Sequence, residues 1–286
     1  MKSLHKLRQN EEYTDVTLQS GDVQIQCHRV VLAAASGYFK ALFKCPLKES
    51  KSDTVQLTME PEVLTSVVDY VYTGAIELTI DNVESVVKAC DVLQLASLMA
   101  GCEEFMVAQI NAANCVGFHG FAASYQLHKL QRKVKEVMLA EFSSVAVTDH
   151  FKQLSCNELV ELIKDDQLEV TSEDVVFESV LGWVRHDVDN RKSSLETIME
   201  YVRLPFCTRD YLCQMKDAFD LLTPKCFEYV HEAWMFQAGT AHQLKPNSCR
   251  TVPRRYTTSL VVAGARIGST NASPDLRVHN TLSPLW

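Results

Sequence analysis

The sequence has few of the patterns by which catalytic and membrane proteins are recognised. Among its 286 residues there is no glycine-rich phosphate loop, no G-x-S-x-G, no H-E-x-x-H and no C-x-x-C pair. No apolar run approaches the ~18 residues that a membrane span needs, and the charged N-terminus, MKSLHKLRQNEEY, is unlike a signal peptide. The formal net charge of −8 disfavours nucleic acid or an anionic membrane as a partner. We therefore expect no enzymatic activity, no metal and no cofactor.

Two local patterns resemble catalytic groups but favour structural roles. His28 follows Cys27, yet adjacent residues of a strand point to opposite faces, which prevents a hydrogen bond between nucleophile and base. Asp165 and Asp166 lie in the polar connection IKDDQLEV, which is typical of a solvated turn between helices. Neither pattern predicts acid–base chemistry.

Ten cysteines leave two interpretations open. Several occur in apolar patterns, as Cys90 does in VESVVKACDVL, which favours reduced thiols packed as small hydrophobic groups in a cytosolic protein. The alternative is a reactive-thiol sensor. Its best candidate is Cys45, which precedes Pro46 in a segment that we expect at the surface.

The N-terminal third mixes strand and helix patterns. Residues 14–27 alternate around Ser20-Gly21-Asp22 and predict a β-hairpin, with Val16 and Leu18 on one face and Cys27 among the residues of the other. Further patterns predict two short helices divided at Gly37, strands at 55–57 and 75–78, and helices at 61–72, 83–93 and 97–110. Asp81 and Glu84 form a capping pattern before the helix at 83.

From residue 114 to 236 the strand signals disappear and consecutive helices are predicted. Ser155-x-x-Glu158 and Thr171-x-x-Asp174 are capping patterns at two helix starts. Short connections indicate antiparallel helical hairpins. After residue 239 the composition becomes that of a linker, followed by the strand-like SLVVAGA.

Quoted motifs give the chain a family resemblance. The N-terminal third resembles a BTB (POZ) domain and the middle of the chain resembles a BACK domain, on the following segments: YTDVTL, CHRVVLAAASGYFKALF, DYVYTGAIEL and ACDVLQLASL; then AANCVGFHGFAASYQLHKL, HFKQLSCNELVELIKDDQLEVTSEDVVFESVLGWVRHD and YVRLPF. The chain is thus similar to kelch-like BTB–BACK proteins. The implied fold class is α+β, with short strands and clustered helices at 4–110 and an all-α BACK domain at 111–237. Residues 238–286 resemble a linker and an incomplete first kelch repeat, which we expect to be poorly ordered because one partial blade cannot bury its faces.

The resemblance implies a surface that binds cullin-3. In that family the surface contains a hydrophobic residue, any residue and a glutamate, which Leu47-Lys48-Glu49 matches directly after YFKALF. Tyr72 corresponds to a tyrosine that faces the cullin, although a core or capping aromatic is an equal alternative. Phe43 supports the same surface, with simple core packing as its alternative.

The resemblance also implies a homodimer formed through the BTB domain. Asp15 and Arg29 match a buried charge pair near the dimer surface, which must stay paired because an unpaired buried charge is costly. LHKLRQNEEY supplies the last turns of the N-terminal helix through which such domains dimerise, so we expect a shortened helix.

Together these features predict an adaptor of a cullin-3 RING ubiquitin ligase in the cytoplasm, with the nucleus as a second compartment. Without a complete propeller the chain is expected to bind cullin, to recruit no substrate and to compete with a full-length form. The substrate is unknown. The alternative is a BTB–BACK scaffold in cytoskeletal or transcriptional assemblies.

Overall fold

A computed structural model describes residues 2–44, 53–214, 220–239 and 249–254. They form two compact units: residues up to 111 together with 117–135, and residues 112–116 together with those from 136 onward. Residues 117–135 group with the first unit by their contacts, and the predicted domain boundary at residues 110–111 stays a prediction. The predicted kelch blade lies almost wholly outside the described residues.

The first unit contains a three-stranded sheet. Its strands are β1 (Val16–Ser20), β2 (Val23–Cys27) and β3 (Thr54–Gln56). Strand β1 is central, antiparallel to β2 and parallel to β3. Gly21 has a φ of +55°, which glycine adopts without strain, and it begins the two-residue turn of the predicted hairpin. The hairpin and the brief strand before residue 57 are confirmed.

The predicted division of the hairpin into two faces is wrong. Val16 pairs with Cys27 and Leu18 pairs with Ile25. Directly opposed residues of an antiparallel pair point to the same side of the sheet, so these side chains share one face. The turn sets which residue of β1 pairs with which residue of β2. The alternation of side chains within each strand alone does not give this pairing.

Six described helices belong to this unit, and two further helices cross the boundary between the units. The six are α1 (Lys2–Gln9), α2 (Arg29–Ala35), α3 (Gly37–Lys44), α4 (Pro61–Thr73), α5 (Val83–Leu93) and α6 (Ala96–Gln109), and the two that cross are α7 (Cys115–Ser124) and α8 (His128–Ala140). Pro61 starts α4 at a position where a missing amide hydrogen costs nothing, and Gly74 ends it with a φ of +77°. The predicted helices at 61–72, 83–93 and 97–110 are confirmed.

Two details of the first unit differ from the predictions. Residues 75–78 form no strand, because among the described residues no neighbouring strand pairs with them. Asn82, rather than Asp81, occupies the position before α5, and its side-chain oxygen accepts the backbone N–H of Thr79 at 2.9 Å. Asparagine can close such a local turn with its own side chain, and here it does so instead of capping the helix.

The described part of the second unit is helical and contains no strand. Its α-helices are α9 (Phe142–Val145), α10 (Cys156–Ile163), α11 (Glu173–His186), α12 (Val188–Arg191), α13 (Leu195–Met199), α14 (Arg209–Gln214) and α15 (Pro224–Gln237). Short 3₁₀ helices occur at Phe151–Gln153, Lys192–Ser194, Leu204–Phe206 and Cys249–Thr251. With a mixed first unit and a helical second one, the predicted α+β class is confirmed.

The two predicted helix caps have different outcomes. The Ser155 hydroxyl and the Glu158 carboxylate form the complete reciprocal capping box before α10, as predicted. Before α11 the cap is Ser172, whose hydroxyl accepts the backbone N–H of Asp174 at 3.1 Å, so the prediction of Thr171 is wrong. The Asp174 carboxylate instead accepts hydrogen bonds from the backbone N–H and hydroxyl of Thr208, both at 2.8 Å.

Among the described helices, none combines the length and apolar character that crossing a bilayer requires.

Candidate protein-binding surface of the first unit

The proposed cullin motif lies between two described elements. Helix α3 ends at Lys44 and the description resumes at Asp53, just before β3. Leu47 and Glu49 therefore lie outside the described residues, and their role stays a prediction. The structure describes the residues on either side of this segment.

Phe43, in the last turn of α3, is held between an aromatic ring and a cation. Its ring stacks on buried Phe39 with centroids 5.7 Å apart and planes at 18°. The Arg29 guanidinium carbon lies 4.8 Å from the Phe43 centroid. The ring is half-buried, so both a packing role and a share in an exposed surface remain compatible with its position.

Asp15 and Arg29 meet as expected, but at the surface. The Asp15 carboxylate accepts the backbone N–H of Arg29 at 2.7 Å, and the Arg29 Nε–H donates to the Asp15 carbonyl at 3.1 Å. In the single chain Asp15 is exposed and Arg29 is half-buried, so burial of this pair near a dimer surface stays a prediction. The backbone N–H of Arg29, the first residue of α2, has no partner within the helix, and the Asp15 carboxylate accepts it. The negative charge of Asp15 also complements the positive N-terminal end of the helix dipole.

Tyr72 is fully buried, with 0% of its surface exposed, and thus does not present its side chain to a partner in this conformation. The backbone N–H of His28 donates to its phenolic oxygen at 2.8 Å. The guanidinium carbon of Arg8, from α1, lies 5.1 Å from its ring centroid while Arg8 also pairs with Asp69. Of the two alternatives, the burial of Tyr72 favours the core aromatic, and a direct contact of Tyr72 with cullin-3 stays a prediction.

His28 extends this arrangement to a loop. Its Nδ1 lies 2.8 Å from the Tyr72 oxygen and its Nε2 lies 3.0 Å from the Glu12 carbonyl. A neutral ring protonated at Nε2 satisfies every group, since the Tyr72 hydroxyl then donates to Nδ1 and Nε2–H donates to Glu12. Burial raises the pKa of Tyr72 to about 12, so this hydroxyl keeps its proton near neutrality. His28 thus has the structural role that its sequence context favoured.

The described residues contain no cluster of histidine, cysteine and carboxylate side chains suited to a metal. The eight cysteines between Cys27 and Cys226 that the structure describes are free and most are buried, whereas Cys213 is exposed. Burial raises the pKa of Cys27 to about 12 and that of Cys115 to about 11, which keeps these thiols protonated. Cys45, the candidate sensor, lies outside the described residues.

Sequence reasoning missed several arginine contacts. Arg8 shields Tyr72 in the first unit, and Arg203 and Arg254 are buried in the second. Their partners are 37 to 81 residues away along the chain. No local pattern marks such pairs, because an isolated arginine is usually a solvated surface residue.

Models of two domain families match the chain. The BTB/POZ domain model matches residues 4–110, and the model described as "BTB And C-terminal Kelch" (BACK) matches residues 115–217. A solved structure, the BTB domain of zebrafish PATZ1, has 25% identity and a TM-score of 0.34, covering 36% of this chain and 85% of its own.

Curated relatives align along nearly the whole chain. Human Kelch-like protein 2 is 34% identical over 272 residues, covering 93% of this chain and 46% of its own length. Mouse Kelch-like protein 17 is 34% identical over 256 residues, covering 88% and 40%, respectively. Mouse Kelch-like protein 28 is 32% identical over 272 residues, covering 94% and 48%. The chain spans a little under half the length of the curated relatives that it matches.

Proposed function

The chain belongs to the BTB–BACK proteins of the Kelch-like family, and we propose that it is an adaptor that binds cullin-3 through its BTB domain. Its chemistry is recognition: it holds a ubiquitin ligase arm in place and performs no bond-making step itself. Substrate recruitment, in this proposal, belongs to residues beyond the BACK domain. The free thiols of the described cysteines fit a reducing compartment, and we place the adaptor in the cytoplasm, with the nucleus as a second site.

The observation that carries the proposal is the position of Leu47-x-Glu49 within a matched BTB domain. The motif begins three residues after the end of α3, the helix whose last turn carries the half-buried Phe43. An aliphatic side chain fills a pocket at the centre of an interface, while a carboxylate accepts hydrogen bonds at its rim. In this proposal α3, which buried Phe39 anchors in the core, supports the surface.

Tyr72 contributes to this proposal indirectly. Its hydroxyl ties α4 to His28, the residue immediately before α2, and Arg29 at the start of α2 lies over Phe43. The Tyr72–His28 contact therefore fixes the start of α2, from which Arg29 covers Phe43. We assign Tyr72 the role of a positioning residue.

We also propose that two copies of the chain associate through α1 and α2. Val30, on the outer side of α2, is 74% exposed, and Leu4 of α1 is 37% exposed. Val30 lines a groove of about 460 Å³ together with small residues, including Ala33, Ala34 and Gly37, and with Lys40 and Lys44 at α3. Small residues let a second backbone approach closely, and exposed aliphatic groups favour association with an identical surface.

Sedimentation velocity of the full chain with the cullin-3 N-terminal domain tests both parts. We expect a dimer alone and a complex of two chains with two cullin domains in the mixture. Val30→Asp should yield monomers, whereas Val147→Asp, at another exposed valine in the second unit, should not. A dimer that forms no complex would favour the BTB–BACK scaffold instead.

A further inference from the structure

Three arginines tie a short segment to the second unit. Residues 249–254, CRTVPR, come after the helices of the BACK match and read as part of a linker in the sequence. In the structure they begin with a 3₁₀ turn, Cys249–Thr251, and end at Arg254, which is 4% exposed. A buried arginine is unusual in a linker, because linker side chains are normally solvated.

Arg254 occupies a socket built from two helix ends. Its Nε donates to Glu173 Oε1 at 2.5 Å, and its Nη1 donates to the carbonyls of Ile163 at 2.7 Å and Asp165 at 2.9 Å. The carboxylate comes from the first residue of α11, and the carbonyls come from the end of α10 and the residues just after it. The Arg254 and Glu173 side chains are 0% and 2% exposed.

This socket suits a guanidinium better than any other side chain. Arginine offers several N–H donors in a fixed plane, and the socket places a carboxylate and two carbonyl oxygens around that plane. The negative end of the α10 dipole also favours a cation at this place. A lysine keeps the charge but cannot reach all three acceptors from a single nitrogen with this geometry.

Two further contacts hold the same segment. The Arg203 Nη1 donates to the Val252 carbonyl at 2.9 Å, while its other terminal nitrogen pairs with Asp166. The Arg250 guanidinium carbon lies 4.4 Å from the Tyr229 centroid, and its Nη2 donates to Glu232 at 2.7 Å. The segment is therefore held by α15 at one end and by α10 and α11 at the other.

We propose that the second unit carries an arginine-binding socket, formed by Glu173 and the carbonyls of Ile163 and Asp165, whose ligand is the chain's own Arg254. Residues 249–254 are then a clasp that belongs to the second domain. The clasp fixes where the chain leaves that domain and in which direction. This inference is independent of cullin binding, and it sets the geometry from which any following module is presented.

Native-state trypsin digestion of the full chain tests the clasp, because Arg250 and Arg254 are themselves cleavage sites. Glu173→Gln changes the socket but leaves both sites intact. Glu178→Gln is the matched control, since Glu178 lies on the same helix and pairs with Arg185 at the surface. Cleavage products are quantified by mass spectrometry relative to a site in the first unit.

We expect slow cleavage after Arg250 and Arg254 in the wild type and in Glu178→Gln. In Glu173→Gln we expect cleavage at these two sites to accelerate on the order of a hundredfold. Breaking the buried ion pair leaves the charge of Arg254 uncompensated, which favours opening of the segment, and trypsin cleaves the opened segment. Equal rates in all three proteins, or rapid cleavage in the wild type, would overturn the proposal. If Glu173→Gln loses its helical circular dichroism, Arg254→Lys replaces it, and its cleavage rate after residues 250 and 254 is compared with that of the wild type. We expect faster cleavage in Arg254→Lys. An unchanged rate would contradict the clasp.

Discussion

His28 and Tyr72, 44 residues apart, share two hydrogen bonds: the backbone N–H and Nδ1 of His28 each lie 2.8 Å from the Tyr72 phenolic oxygen. The pair links the end of β2 to the C-terminal half of α4 in the buried part of the first unit. It gives Tyr72 a structural role within the first unit.

Tyr72→Phe tests this role. Removing the hydroxyl leaves the His28 N–H and Nδ1 without a partner at a buried site, which should lower the free energy of unfolding by about 1–3 kcal/mol. Tyr70→Phe, at a half-buried tyrosine of the same helix, should change it by less than about 0.5 kcal/mol. Urea unfolding measures both. Equal, small effects would mean that the hydrogen bonds contribute little.

Alkaline pH should destabilise the first unit. Burial raises the pKa of Tyr72 from 10.0 to about 12 and that of Cys27 from 9.0 to about 12. Because folded pKa values lie above unfolded ones, the stabilisation is complete below pH 9 and is lost as the pH rises towards 12. Cys27 should lower the free energy of unfolding by about 1.4 kcal/mol per pH unit from pH 9 upward, and Tyr72 should add a similar slope only from pH 10 upward. Urea unfolding at pH 8 to 11 that showed no decline would contradict this expectation.

Thiol labelling separates the two interpretations of the cysteines. In the native protein, iodoacetamide should modify exposed Cys213 quickly, whereas Cys27, Cys115 and Cys207 should stay protected because their thiols are buried and their pKa values are raised. Mass spectrometry after labelling at pH 7 and 8 gives the rates. Labelling of Cys45 that exceeds that of Cys213 at pH 7 would favour a sensor.

Phe43 and Tyr38 allow a matched comparison on α3. Both aromatic rings are half-buried and both contact Phe39, with centroid distances of 5.7 and 5.2 Å, respectively. Phe43→Ala and Tyr38→Ala should therefore destabilise the fold similarly. If Phe43 supports the cullin surface, its loss should weaken binding about tenfold more than loss of Tyr38. Similar affinities for both variants would leave Phe43 with a packing role alone.

The sequence predicts most elements of both units but not which side chains meet. The burial of Tyr72 was within reach: it follows Leu64 and Val68 at four-residue spacing, a second buried stripe beside Val63, Val67 and Val71. By contrast, the Arg254–Glu173 pair has no local signal, since the partners are 81 residues apart and CRTVPR has the composition of a linker. Tertiary contacts decide such positions, and residue patterns report only local structure.

The central claim is tested most directly by calorimetric titration of the full chain with the cullin-3 N-terminal domain. Leu47→Ala/Glu49→Ala is compared with Lys48→Ala, which changes the unconstrained middle residue of the same motif. Burying a leucine at an interface centre contributes ~1–3 kcal/mol, so we expect the double variant to bind at least about tenfold more weakly, with Lys48→Ala close to wild type. A folded, dimeric wild-type chain that does not bind, or equal affinities for all three proteins, would contradict the adaptor proposal.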